Sequence, residues 1–327
     1  MKKYSLGLDI GGTKCAVILG RGEIPEECRD SIIIDKISFP TNQPRGWEAV
    51  MVDFFTSIDT ILERNGVSDN ELIGIGVSCG GPLDSRAGVI KCPPNLPDWD
   101  EVPICALLRE KYGTEVNLQN DANACAIAEW RFGAGKGYNN LIFLTFGTGM
   151  GAGLILDGRL YSGTNDMAGE VGHIRLENDG PLGYGKVGSF EGFCSGGGIS
   201  RLATAMLKEH TEKGGKSSLS ALLDKPDEIT AKSVALAARE GDELALRVYK
   251  TCGEKLGQGL AILIDILNPE VIIIGSVFER SGDLMIDSVK KTLKKEALGF
   301  SLECCIILPA LLGDSIGDYA ALGVAFA

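Results

Sequence analysis

Three short runs hold residue types that could handle a phosphorylated ligand. The first is Asp9-Ile10-Gly11-Gly12-Thr13-Lys14. Glycines let a turn close while its backbone N–H groups face a phosphate, and Thr13 adds a hydroxyl. Asp9 stands where a strand enters the turn, placed to hold Mg²⁺ directly or through water. An ordinary hairpin turn would use the same glycines. The second run is Gly147-Thr148-Gly149-Met150-Gly151-Ala152-Gly153. Its Gly147-x-Gly149-x-x-Ala152 spacing satisfies a dinucleotide fingerprint on paper, but that fingerprint needs a helix after the glycines. A short strand, Gly153 to Leu156, is expected there instead. A phosphate-binding hairpin paired with the first turn fits better than an NAD site. No Gly-x4-Gly-Lys-[Ser/Thr] sequence occurs, which excludes a P-loop.

The third run is Asn120-Asp121-Ala122-Asn123, where a strand gives way to a helix. An Asp at such a junction often only caps the helix. Phosphoryl transfer to an alcohol, however, needs a carboxylate within hydrogen-bond reach of the hydroxyl. Asp121 lies between the two glycine-turn units, where a cleft would form. Further on, Glu170, His173 and Glu191 sit in a glycine-rich stretch with few core positions. A lone histidine is commonly structural, but two carboxylates beside it suit a polyol. Gly275-Ser276 ends a buried strand and could admit a flat base, although strand-end glycines are common.

The elements that must position these residues follow from the apolar pattern. Tyr4 to Ile10 and Cys15 to Leu19 read as strands around the first turn, and Asn140 to Phe146 with Gly153 to Leu156 around the second. Set side by side, LDIGGTKCAVIL and LTFGTGMGAGLIL read as one strand–turn–strand unit used twice. That implies a duplicated fold with a cleft between the copies. Trp47 to Asn65 carries apolar residues at helical spacing, and Ile73 to Ser78 and Val116 to Gln119 read as further strands. Residues 163–198 read as irregular and 201–260 as mostly helical. Val271 to Ile274 and Cys304 to Leu308 read as strands, and Asp318 to Ala327 as a final Ala-rich helix.

A chain of 327 residues suits two domains of roughly 150 each. The expected division is 1–119 and 120–313, with a final helix within 314–327 packing back on the first unit. A net charge of −12, with no Lys/Arg run longer than two, argues against nucleic acid as a partner. Ten cysteines form no Cys-x-x-Cys pair and read as reduced, mostly buried small hydrophobes. The first strand begins at Tyr4, which leaves no room for a signal sequence. Apolar stretches are far too short for a membrane span. Cytoplasm is therefore the expected compartment, and a homodimer the expected assembly.

These motifs, with GVSCGGPLD, PPNLPDW, NDANACAIAEWRFGAGKG, SGTNDMAGEVGHI, VIIIGS and GDYAALGVA, resemble the ROK family of bacterial sugar kinases and sugar-responsive repressors along nearly the whole chain. The resemblance implies an α/β fold of the actin-like ATPase type (duplicated ribonuclease H-like), two-domain, with ATP and sugar in the interdomain cleft. By similarity, Asp9, Gly11, Gly12, Thr13 and Lys14 belong to the first phosphate loop. Thr145, Gly147, Thr148 and Gly149 belong to the second, and Gly275 to the adenosine-facing segment. Asp121 matches the catalytic base. Gly81, Asn95, Asn120, Glu170, His173 and Glu191 match positions that bind sugar hydroxyls. The implied activity is ATP- and Mg²⁺-dependent phosphorylation of a hexose at a primary hydroxyl, glucose first. N-acetylmannosamine, N-acetylglucosamine, fructose and allose remain open, as does a non-catalytic sugar sensor. The repressors' N-terminal helix-turn-helix region has no counterpart before the first loop.

One departure concerns metal. Family members usually carry three cysteines after the Gly-His motif that bind structural Zn²⁺ with the histidine. Residues 180–191 contain no cysteine, and one histidine cannot build a four-ligand site. The expectation is therefore no zinc, with Tyr184 and Phe190 packing to order the loop.

Overall fold

The computed structural model describes residues 3–22 and 32–326. Its first sheet starts with β1 (Tyr4–Ile10), β2 (Lys14–Arg21) and β3 (Ile33–Pro40), which run antiparallel in turn. Helix α1 (Trp47–Asn65) then crosses over to β4 (Leu72–Cys79), which lies parallel to β1. A parallel pair needs such a crossover. The small hairpin β5 (Leu83–Asp84) and β6 (Val89–Ile90) precedes α2 (Ile104–Tyr112), and β7 (Glu115–Asn120) completes the sheet beside β4. Val50, Phe54, Ile58 and Ile61 on α1 recur at helical spacing and are buried on one face of this sheet. Each contributes about 1.5–3 kcal/mol relative to exposure.

Helix α3 (Asp121–Phe132) leads into the second sheet. There β8 (Leu141–Phe146), β9 (Met150–Leu156) and β10 (Arg159–Leu160) run antiparallel. A long insertion follows. It holds the hairpin β11 (Leu182–Gly183) and β12 (Lys186–Val187), then α4 (Phe190–Phe193), α5 (Gly196–Glu212), α6 (Ala231–Arg239) and α7 (Glu243–Leu267). The chain returns as β13 (Val271–Ile274), parallel to β8. Helices α8 (Val277–Ser281), α9 (Ile286–Glu296) and α10 (Gly299–Glu303) then lead to β14 (Ile306–Pro309), parallel to β13, and to α11 (Ile316–Val324). The orders β3-β2-β1-β4-β7 and β10-β9-β8-β13-β14 are one topology used twice. This is the duplicated α/β, actin-like architecture.

Two central helices separate the sheets. Helix α11 lies on β1 and β4, and α3 lies on β8 and β9. The approach is backbone to backbone. A Cβ at Gly7 would sit 2.7 Å from Leu322 N, and one at Gly76 would collide with the Ala321 carbonyl. Across the molecule, a Cβ at Gly153 would sit 2.5 Å from the Ala122 carbonyl oxygen. Glu129 on α3 is fully buried. Its carboxylate accepts the N–H groups of Ala134 at 2.8 Å and of Leu311 and Leu312 at 2.9 Å. It thereby fastens the link between β14 and α11.

Several element bounds depart from sequence expectation. Strand β9 starts at Met150, inside the glycine run, because the backbone of Gly151 and Gly153 pairs with Thr145 and Phe143 of β8. Helix α5 starts at Gly196, where the Ser195 hydroxyl accepts the Gly198 N–H at 2.9 Å and overrides the poor helix propensity of three glycines. Strand β14 begins at Ile306 rather than Cys304. Of the cysteines, Cys28 lies outside the described residues; the other nine are free, with Cys92 and Cys304 exposed and Cys125 half-buried. Among the described residues no helix is long and apolar enough to cross a membrane.

Candidate active site

Strand β7 hands over to α3 at Asn120. The Asn120 Oδ1 accepts the Asn123 N–H at 2.8 Å and caps the helix. The cap therefore falls on Asn120, and Asp121 is the first helical residue. Its Oδ1 accepts the Ala122 N–H at 2.8 Å. Asp121 lines the cleft between the sheets, with its side chain exposed to that cleft. Burial raises its pKa above the usual carboxylate range, and the helix-start N–H groups pull the other way.

The first glycine turn is tied back through its carbonyls. Gly11 O accepts Thr41 Oγ1 at 2.6 Å, Gly12 O accepts Gln43 Nε2 at 2.7 Å, and Thr13 O accepts the Thr41 N–H at 3.0 Å. In a trans peptide the N–H points opposite to the preceding C=O. The N–H groups of Gly12, Thr13 and Lys14 are thus turned away from Thr41 and Gln43. Asp9, half-buried at the end of β1, has its pKa pushed up to about 6 by burial. Asp318 and Asp121 act the same way, while Lys36 and Lys14 oppose. An oxygen donor of this kind beside open amides fits Mg²⁺ carried on a phosphate.

The second turn joins β8 to β9. Gly147 O accepts the Gly196 N–H at 2.7 Å from the start of α5, which turns the Thr148 N–H away from that helix. Thr145 Oγ1 accepts the Gly151 N–H at 2.8 Å and closes the hairpin beneath the turn. A Cβ at Gly149 would lie 2.8 Å from Glu191 Oε2, and one at Gly12 2.6 Å from Asn95 O. Side chains are excluded from both turns, whose amides can then approach a phosphate. Gly275 ends β13 next to this turn; the Ser276 hydroxyl comes 3.9 Å from where a Gly147 Cβ would stand.

Glu170, His173 and Glu191 converge on the cleft. Glu170 has a raised pKa, from burial first and then from Asp121 and Glu191, with His173 opposing. Glu191 Oε2 accepts the Met150 N–H at 3.1 Å, so one carboxylate touches both the cleft and the second turn. The stretch before it is held by several contacts within the protein. Hairpin β11–β12 turns at Tyr184 and Gly185, Arg175 Nη1 donates to Val187 O at 2.6 Å, and Lys186 Nζ donates to His173 O at 2.7 Å. Lys255 pairs with Glu177, and Phe190 is fully buried in the notch that Gly259 leaves. Phe190 packs as expected, but Tyr184 does not: it is 81% exposed. Among the described residues, no group of three or more His, Cys, Asp or Glu could hold a metal ion.

The cleft measures about 620 Å³. Of the residues singled out in the sequence, Gly81, Asn120, Asp121, Thr145, Gly147, Thr148, Gly149, Glu170, His173 and Glu191 line it. Asp9, Gly11, Gly12, Thr13, Lys14, Asn95 and Gly275 lie outside its lining. Asn95 stands between the two groups, against Gly12 and with its Oδ1 3.2 Å from a Cβ built on Gly80. Sequence reasoning missed Thr41 and Gln43, which follow an unrecognised strand, and Gly196, which was read as loop. It also missed a link across the cleft. The Ser85 N–H and Oγ donate to the Asp166 carboxylate at 2.8 and 2.7 Å, joining the two halves.

With this geometry in place, the relatives become informative. The ROK family model matches residues 5–326, so the chain belongs to the ROK family. A glucokinase from Halalkalibacterium halodurans is 34% identical over 319 residues, 96% of this chain and 92% of that protein. The structure of a ROK family glucokinase from Streptomyces griseus, in complex with glucose and AMPPNP, superposes with a TM-score of 0.72. It is 29% identical, with 99% of each chain covered. A xylose repressor from Caldicellulosiruptor bescii is 30% identical over 244 residues, 74% of this chain and 60% of the repressor.

Proposed function

We propose that this chain is an ATP-dependent sugar kinase that phosphorylates a hexose, glucose first, at its primary hydroxyl. The observation that carries the reading is the division of labour at the junction. Asn120 caps α3, so the Asp121 carboxylate takes the adjacent Ala122 N–H on Oδ1 and faces a cleft that the second glycine turn also lines. Asp121 takes the proton from the sugar hydroxyl as its oxygen attacks the γ-phosphorus in line. The bond from that phosphorus to the bridging oxygen breaks, and ADP leaves. The N–H groups of the two glycine turns face the phosphates and offset charge as it shifts to the leaving oxygen. Mg²⁺ near Asp9 would supply further neutralisation of the phosphates. Glu170, His173, Glu191, Gly81, Asn95 and Asn120 are the proposed contacts to sugar hydroxyls. The lobes divide at 119/120, and 314–327 returns to the first lobe; their closure would exclude water.

The likeness to a xylose repressor favours a second reading, a sugar sensor without turnover. An N-acetylmannosamine, N-acetylglucosamine or fructose kinase is the alternative within the enzyme class. Sugar-dependent ADP release over a panel of hexoses and N-acetyl sugars decides. Release with one or more sugars is expected; none with any sugar leaves the sensor. Asp121→Asn should lower kcat by about 10²–10⁴-fold while sugar still binds. Retained turnover would remove Asp121 from its role.

A further inference from the structure

Tyr184 is a poor residue for the place it occupies. It sits at the tip of the β11–β12 hairpin with φ +40°, followed by Gly185 at φ +76°. Two successive positive φ values make a turn that favours Asn, Asp or Gly, and a bulky side chain is strained there. Packing does not explain the tyrosine either, because the side chain is 81% exposed. Yet it lines the cleft, and its ring stands edge-on to the His173 ring, with centroids 6.5 Å apart and planes at 74°. Strain retained at such a position marks a functional constraint.

We infer that Tyr184 is a sugar-binding residue, an aromatic platform on which an apolar C–H face of the sugar ring rests. The inference deepens the proposed function and relies on it for the ligand class. The carboxylates and amides around Asp121 can recognise hydroxyls, but the C–H faces of a pyranose need an apolar surface. The ring meets that need from the insertion side of the cleft. The hairpin fixes it: Lys186 holds the hairpin to the His173 carbonyl, so platform and histidine move together.

Tyr184→Asn tests this, because asparagine suits the turn better and removes only the ring. The hairpin should hold, with Tm unchanged or raised. Sugar affinity, read by calorimetry without nucleotide, should fall about tenfold, in keeping with one aromatic contact. The KM for ATP should stay within twofold, and Tyr184→Phe should bind sugar like the parent. Equal sugar affinity in Tyr184→Asn overturns the platform. Parent protein that binds sugar but never releases ADP overturns the kinase reading alone. Parent protein that binds no sugar overturns both.

Discussion

At the scale of single residues, Asp9, Asp121 and Glu170 are carboxylates made harder to ionise by partial desolvation and, for Asp9 and Glu170, by the charge of neighbouring carboxylates. Asp9 makes this measurable. Its pKa is raised to about 6, so its ionised form is disfavoured in the folded protein. The stability linked to it is fully present below the ordinary value near 4, and is lost as pH rises through 6. Asp9→Asn should therefore stabilise the ligand-free protein by on the order of 1–2 kcal/mol at pH 8 and hardly at all at pH 4. Activity should be lost in the same variant. Denaturant melts at the two pH values check the sign, and equal shifts at both would mean that Asp9 is not strained by its charge. Asp121 was legible in the sequence through its company, but its freedom from capping was not. Helix starts read from sequence are uncertain by a residue or more, and here one residue separates a cap from a base.

At the scale of elements, the paired glycine turns were legible because strand, turn and strand are local. Strand β3 was not. Its inward phase includes Asp35, which is satisfied by Arg64 and Asn65 from the end of α1, so the alternation is broken by a charge whose partners lie far along the chain. The order of the 180–191 stretch was also hidden. It depends on a notch at Gly259, on a distant helix, and on Lys255 reaching Glu177. Residues 180–191 hold no cysteine, and among the described residues no group of three or more His, Cys, Asp or Glu could hold a metal ion. Purified protein should carry well under one equivalent of zinc, and a chelator should leave Tm unchanged. One bound equivalent, or a chelator-dependent melt, would refute that.

At the scale of the whole molecule, the halves meet through α3 and α11 at the back and through Ser85 and Asp166 across the cleft. The two bonds to Asp166 are available only while the halves stand close. Each bond to a charged group is worth about 1.5–3 kcal/mol. Asp166→Ala should raise the sugar KM several-fold and leave kcat within twofold; an unchanged KM would mean that the link does not hold the cleft closed. Sequence could indicate two similar units and a cleft between them. It could not name Ser85 and Asp166, which lie 81 residues apart and belong to loops that carry no periodic pattern.

The close approach of α11 to β1 and β4 bears on how substitutions in this protein are interpreted. Gly7 and Gly76 tolerate no side chain, although neither lines the cleft. A survey of variants scored by activity would rank both beside Asp121. It would place a catalytic meaning on two sites whose only duty is to let a helix lie flat. Loss of the soluble protein itself is what separates them from Asp121.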